Sequence, residues 1–253
     1  MTGWLLALRI EFVKVRASRV VLAATSLTVV GIAAIVIAFR AVAASGDPQA
    51  IAKLGEAGAA PGWPGLLATA LQVAAAAYLL GITVVHAWLS GREFADGTVV
   101  ALYALSVGRG QLATAKLVLG VATAALMGLG LAVTLLAGGL ALGYGVPDSE
   151  DLATLARLAV LAPFSALAAS PVALAATLGR GLLPGIATGF VLLAAAQVLV
   201  VVGVGDWFPL AVPALWALNP DAVVAPAVVL ALAVGVAASA ATALVWRRLQ
   251  LDR

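Results

Sequence analysis

Val20 to Phe39 reads VVLAATSLTVVGIAAIVIAF, twenty residues without a charge. At 1.5 Å rise per residue such a run makes a helix about 30 Å long, the thickness of a bilayer's hydrocarbon core. It is too long for the apolar stretch of a secretory leader, about 7–15 residues, so Ala41-Val42-Ala43 behind it reads as loop and not as a cleavage site. The same test applied outward from this run finds further spans at about 66–89, 117–142, 155–178, 182–204 and 223–246. The whole composition agrees. Of 253 residues 64% are hydrophobic and 10% charged, with a mean hydropathy of +1.16, against about half apolar and a quarter charged in a soluble domain. A soluble globular protein is excluded. Six crossings of about 20 residues leave about 130 for connections and terminal segments, so residues 1–253 are predicted to be one all-α transmembrane domain. In the connection 40–64, Asp47 followed by Pro48 predicts a short surface helix closed by Gly55 or Gly58. Pro163 and Pro171 predict a kinked fourth span. The stretch 205–221 is apolar but holds Pro209, Pro213 and Pro220, and is expected to lie at or dip into the interface without crossing.

Six spans put both termini on one side, and the distribution of basic residues decides which. The terminal side carries eleven of the fourteen: Arg9, Lys14, Arg16, Arg19, Arg92, Arg109, Lys116, Arg180, Arg247, Arg248 and Arg253. The other side has Arg40, Lys53 and Arg157, together with seven of the eleven acidic residues. Both termini are therefore expected on the cytoplasmic side. The net charge of +3 is not a nucleic-acid footprint, because the basic residues sit at the ends of apolar runs and form no solvated patch. Zero cysteines exclude disulfides, thiolate metal sites and cysteine nucleophiles.

No Asp, Glu, Lys or Arg lies in the middle of a span, which disfavours an ion-coupled transporter or pump. Gln72, Thr134 and Gln197 are the deepest polar groups, suited to interhelical hydrogen bonds or to a substrate path. His86, the only histidine, is read as interfacial or helix-capping, since acid–base catalysis needs a partner. Gly181, Gly185 and Gly189 repeat at i, i+4, i+8, as do Gly120, Ala124 and Gly128, and small residues at that spacing let helix backbones approach within the chain or across a dimer. The acidic pair Glu93 and Asp96 lacks the further aspartates that a membrane phosphotransferase would use for metal, the positions one and two turns on being Leu105, Val107 and Arg109.

The segment 92–116 is the most informative connection. Val99, Leu102, Tyr103 and Leu105 make an apolar helical face that a solvated loop would not keep, and Gly108 and Gly110 break the helix before Gln111 restarts one. The physical reading is a short helix on the cytoplasmic surface. In Glu93, Gly97-Thr98, Leu102, Leu105, Arg109 and Ala115-Lys116 the chain resembles the type-2 ABC transporter permeases, the six-span membrane subunits of bacterial ABC exporters. The family often has a proline three residues before that arginine, where this chain has Ser106. The resemblance implies that 92–116 is the coupling helix that docks on the ATPase subunit, with Glu93, Asp96, Thr98, Leu102, Leu105 and Arg109 facing or supporting that contact. It also implies that residues 3–18 form an elbow helix entering the first span. Trp4, Leu8, Phe12 and Val15 do lie on one helix face, with Arg9 and Arg16 on one flank and Lys14 on the other, as in an interfacial helix with snorkelling cations.

Energy must come from elsewhere. The only lysines, Lys14, Lys53 and Lys116, follow Val, Ala and Ala, so none closes a glycine-rich phosphate loop. The expected function is the transmembrane subunit of an ATP-driven exporter with no cofactor of its own. ATP and Mg would be bound by a P-loop ATPase partner, the second half of the path would come from another copy or a paralogous permease, and the substrate would be an amphiphilic peptide, drug or lipid. A non-transporting membrane anchor that recruits a cytoplasmic partner through 92–116 is the competing expectation.

Overall fold

A computed structural model describes residues 3–45, 49, 51, 52, 55 and 60–250. Of the surface helix expected over 47–58, residues 49, 51, 52 and 55 are described and helical, with Gly55 at a φ of 68°, and the rest lies outside the described residues. Among the described residues there is no strand, and six helical segments are long and apolar enough to cross a membrane. An N-terminal helix, α1 (Gly3–Ala17), is followed by α2 (Arg19–Ala44), α3 (Gly62–Ala95), a 3-10 helix (Thr98–Ala104), α4 (Arg109–Ala141) and α5 (Ser149–Ala168). Then come α6 (Ser170–Leu178), α7 (Leu182–Val201), a 3-10 turn (Gly205–Trp207), α8 (Val212–Leu218) and α9 (Ala225–Arg247).

Local chemistry sets the breaks. Ser18 separates α1 from α2 as an N-cap, its extended backbone turning the chain while Oγ accepts from the Val21 N–H at 3.1 Å. Asp148 caps α5 in the same way, accepting from Glu150 N–H at 2.8 Å and Asp151 N–H at 2.9 Å, with two more carboxylates in the first turn to meet the helix dipole. Gly97 ends α3 with φ of 68°, a left-handed backbone that costs glycine little.

α3 is the centre of the bundle, in contact with α2, α4, α5, α6, α7 and α8. The fourth crossing is interrupted as expected, but at one of its two prolines. It breaks at Ala169, two residues before Pro171, into α5 and α6, whereas Pro163 sits inside α5. Each proline leaves the carbonyl four residues earlier without its helical donor, and glycines cover both. A Cβ on Gly128 of α4 would collide with Ala159 O, and one on Gly235 of α9 would collide with Leu167 O. Leu167 O is also bonded by Ser170 Oγ at 2.8 Å. The segment 205–221 folds back on the bundle through α8, burying Val212, Pro213 and Ala217, with Trp216 edge-on to Phe164 at 6.0 Å.

Candidate functional site

α3 and α4 run past the ends of their apolar stretches. Helix continues through Arg92 and Glu93 to Ala95 and resumes at Arg109, so the connection proper is only 96–108, shorter than the segment 92–116 read from the sequence. Glu93 is in the last turn of α3 and Lys116 two turns into α4. They meet at 2.5 Å.

That pair belongs to a closed ring of four charges. Lys116 Nζ also reaches Glu11 Oε2 at 2.9 Å, Glu11 Oε1 takes Lys14 Nζ at 2.7 Å, and Lys14 returns to Glu93 Oε1 at 3.0 Å. Each carboxylate is held between two ammonium groups, so the ring is neutral. It joins residues 105 and 79 positions apart in the chain. The Lys116, Glu11 and Glu93 side chains are 2%, 1% and 6% exposed and Lys14 is 28% exposed. Burial works against the Lys14 charge, yet the Glu11 and Glu93 carboxylates outweigh it and hold the ammonium above its ordinary 10.5. Lys116 Nζ further lies 5.5 Å from the centre of the Trp246 ring, which stacks obliquely on Phe94 at 5.5 Å. Glu93 Oε2 is buried with no donor, which leaves the ring one hydrogen bond short.

Around the ring an apolar cluster closes the same end of the molecule. Ala7 of α1, Val99, Leu102 and Val107 of the connection, Leu112, Ala113 and Ala115 of α4, and Trp246 and Leu249 at the C-terminal end pack together. N-terminal helix, connection and C-terminal end are thereby on one side, as six crossings require. Arg109 Nη1 donates to Leu249 O at 2.5 Å and Arg180 Nη2 to Gln250 O at 3.2 Å, fastening the chain's end to two other turns.

The residues read from the sequence separate into inward and outward sets. Glu93 and Leu102 are inward, and Leu102 is 7% exposed among its own chain's side chains. Asp96, Thr98 and Leu105 are outward, Asp96 paired with Arg92 at 3.1 Å and Leu105 accompanied by the more exposed Val100. On α1 the buried positions are Ala7 and Glu11, while Trp4 and Phe12 of the expected apolar face point away from the bundle. Of the two readings of His86, interfacial or helix-capping, the structure corrects the first and fits the second: the ring is buried between helices, and Nε2 bonds Ala166 O in the last turn of α5 at 2.9 Å.

The glycines resolve into contacts within the chain. Gly120 lies on the His86 ring, Gly128 on Ala159, Gly185 on Ala87 and Gly189 on Thr83, each too close for a side chain, while Gly181 places its own carbonyl against Gly91. Gln72 and Gln197 share a cavity of about 190 Å³ between α3, α7 and α8. Thr134 does not line it; its hydroxyl is exposed and donates to Gly130 O of its own helix at 2.7 Å. Glu11 and Lys14 were missed by sequence reasoning. The available signal was Glu11 itself, the only acid among Arg9, Lys14, Arg16 and Arg19.

The six crossings and the ring at the second connection are features of the structure alone, and a comparison with known families adds to them. The family model described as ABC-2 family transporter protein matches residues 7–196. The chain belongs to this ABC-2 transporter family. Its membrane-spanning helices and its family make it a multi-pass transport permease subunit, and ABC-2 family permeases generally partner with an ABC ATPase. No curated protein and no solved structure matches the chain.

Proposed function

We propose that this ABC-2 permease is the membrane half of an ATP-driven exporter, that it works as a pair of six-span subunits, and that a separate ATPase chain docks on the outward side of residues 96–108. Its termini then face the cytoplasm, in keeping with the eleven-to-three division of basic residues. The observation that carries this reading is the two-sidedness of the connection. Its inner side packs through Val99, Leu102 and Val107 on Ala7 of α1, Phe94 of α3 and Leu112 of α4, while Val100 and Leu105 stay exposed on its outer side at 63% and 37%. Force applied at the outer side passes through this cluster into three helices at once, which the ring of Glu11, Lys14, Glu93 and Lys116 ties together beside it. ATP and Mg belong to the partner chain. The cavity holding Gln72 and Gln197 is uncharged and mostly apolar, which suits an amphiphilic substrate.

The experiment uses the permease co-purified with its ATPase chain. Val100→Asp with Leu105→Asp releases the ATPase from the detergent-solubilised complex, since a docked apolar side chain is worth about 1.5–3 kcal/mol. Glu93→Gln leaves the complex assembled but lowers transport-stimulated hydrolysis. Retention of both assembly and transport in the double aspartate variant refutes docking at this surface. Assembly without any transport in the wild type favours the anchor reading. Cysteine at Ser149 should react with an impermeant reagent outside intact cells and cysteine at Ser106 should not; the reverse pattern inverts the orientation.

A further inference from the structure

We infer that the cleft between α4 and α9, on the side of the chain termini, is a binding site for an anionic phospholipid, with its phosphate at Arg247 and Arg109 and one acyl chain laid along the two helices. Two adjoining cavities make up the cleft. The outer one, about 610 Å³, is lined by Gly108, Arg109, Gly110, Gln111, Thr114, Ala243 and Arg247, with two guanidinium-bearing residues and, among the described residues, no carboxylate. The inner one, about 410 Å³, shares Thr114 and is walled by Leu117, Val118, Val121, Leu167, Val236, Ser239 and Ala240.

The geometry suits a lipid and not a soluble anion. On α9 the lining residues Val236, Ala240, Ala243 and Arg247 follow one helix stripe, and on α4 Gly110, Thr114, Val118 and Val121 follow the facing one. From Arg247 to Val236 the stripe is about 17 Å long, close to the half-thickness of the hydrocarbon core, about 15 Å. The cleft is thus basic at its mouth, apolar along its length and one leaflet deep. Both basic groups are set by the fold. Arg109 is held at the mouth by its bond to Leu249 O. The Arg247 stem lies across Gly110, where a Cβ would come within 2.6 Å of Cγ, so glycine is what lets this guanidinium rest over the first turn of α4. That turn is the positive end of a 33-residue helix. The inference rests on the membrane-spanning fold alone and stands whether or not the ATPase docks at 96–108.

The test is native mass spectrometry of the full-length protein in detergent with dioleoyl phosphatidylglycerol or dioleoyl phosphatidylcholine at equal concentration. The wild type should retain the anionic phosphatidylglycerol in preference. Arg247→Gln should cut that retention about fivefold, the factor equivalent to about 1 kcal/mol for one basic side chain at an anionic surface, and Arg247→Lys should largely keep it. Ala240→Phe, which fills the tail cleft and leaves the arginines in place, should also lower retention, and glycerol phosphate without tails should not compete. Equal retention of the two lipids, or unchanged retention in Arg247→Gln, overturns the site. Full competition by glycerol phosphate together with unchanged retention in Ala240→Phe overturns it too, in favour of a soluble phosphate ester.

Discussion

At the end that carries the chain termini, α3 and α4 meet through Glu93 and Lys116, two charges taken almost wholly out of water. About one turn deeper on α4 and two on α3, the same two helices meet through Gly120 against the His86 ring. The first contact is strong because each ion is compensated on two sides, and for the same reason it is intolerant of losing a member. The second is close because nothing intervenes between backbone and ring. Ion pairing at the end ties three helices, α1, α3 and α4, into one unit. Each glycine approach in the interior joins helices two at a time, as Gly189 of α7 does with Thr83 of α3. The difference separates a region able to receive force from the connection from one that keeps the crossings in register.

The comparison is broken most severely by Lys116→Met. It leaves the buried Glu11 and Glu93 with Lys14 alone between them, one negative charge in excess, and a loss of about 3–5 kcal/mol is expected, read as a lower unfolding midpoint in detergent. Glu11→Gln combined with Lys116→Gln should recover part of that loss, because the remaining pair, Lys14 with Glu93, is neutral again.

Gly128→Leu tests the interior. The side chain has to displace Ala159 O, so α4 and α5 separate at a cost of about 1–3 kcal/mol by the same measurement. Loss equal to that of Lys116→Met would remove the distinction between the two regions.

A smaller effect follows from Lys14. Its folded-state pKa is raised above 10.5, so its contribution is fully present below pH 10.5 and disappears as pH climbs through the raised value. Thermal stability should fall above about pH 10.5 in the wild type, and Lys14→Met should flatten that fall. An identical alkaline profile in the variant would assign the fall to other groups.

Ser239→Ala sharpens the comparison at its weak end. Ser239 Oγ lies 3.1 Å from Ser170 Oγ and 2.8 Å from Gly235 O, the kind of interhelical bond worth about 0.6 kcal/mol in a membrane. A midpoint shift as large as that of Gly128→Leu would mean the α6–α9 contact depends on this hydroxyl more than on close backbone approach.

Much of this was legible in the chain. Twenty uncharged residues from Val20 to Phe39 permit one structure in hydrocarbon, because every backbone polar group must be satisfied within the segment. The same argument fixes the number of crossings and puts the termini together. The glycine stripes announced close approach but not the partner, since the spacing is the same whichever helix it faces. His86 was unreadable for a related reason: a lone histidine near a span's end can face headgroups or, as here, a carbonyl of a helix 80 residues away.

The sequence by itself determined the six crossings, the shared side of the termini and the absence of charge from their centres, because each follows from transfer free energies of single residues and short windows. Only the tertiary structure decided that Glu11, Lys14, Glu93 and Lys116 form one ring and that Leu102 turns inward while Leu105 turns out. A charge's partner depends on which helices touch, and the touching residues here are as much as 105 positions apart. The rotation of the Thr98–Ala104 helix about its axis is likewise set by the cluster of Ala7, Leu112 and Trp246 against which it packs, and that cluster does not exist until the chain has folded.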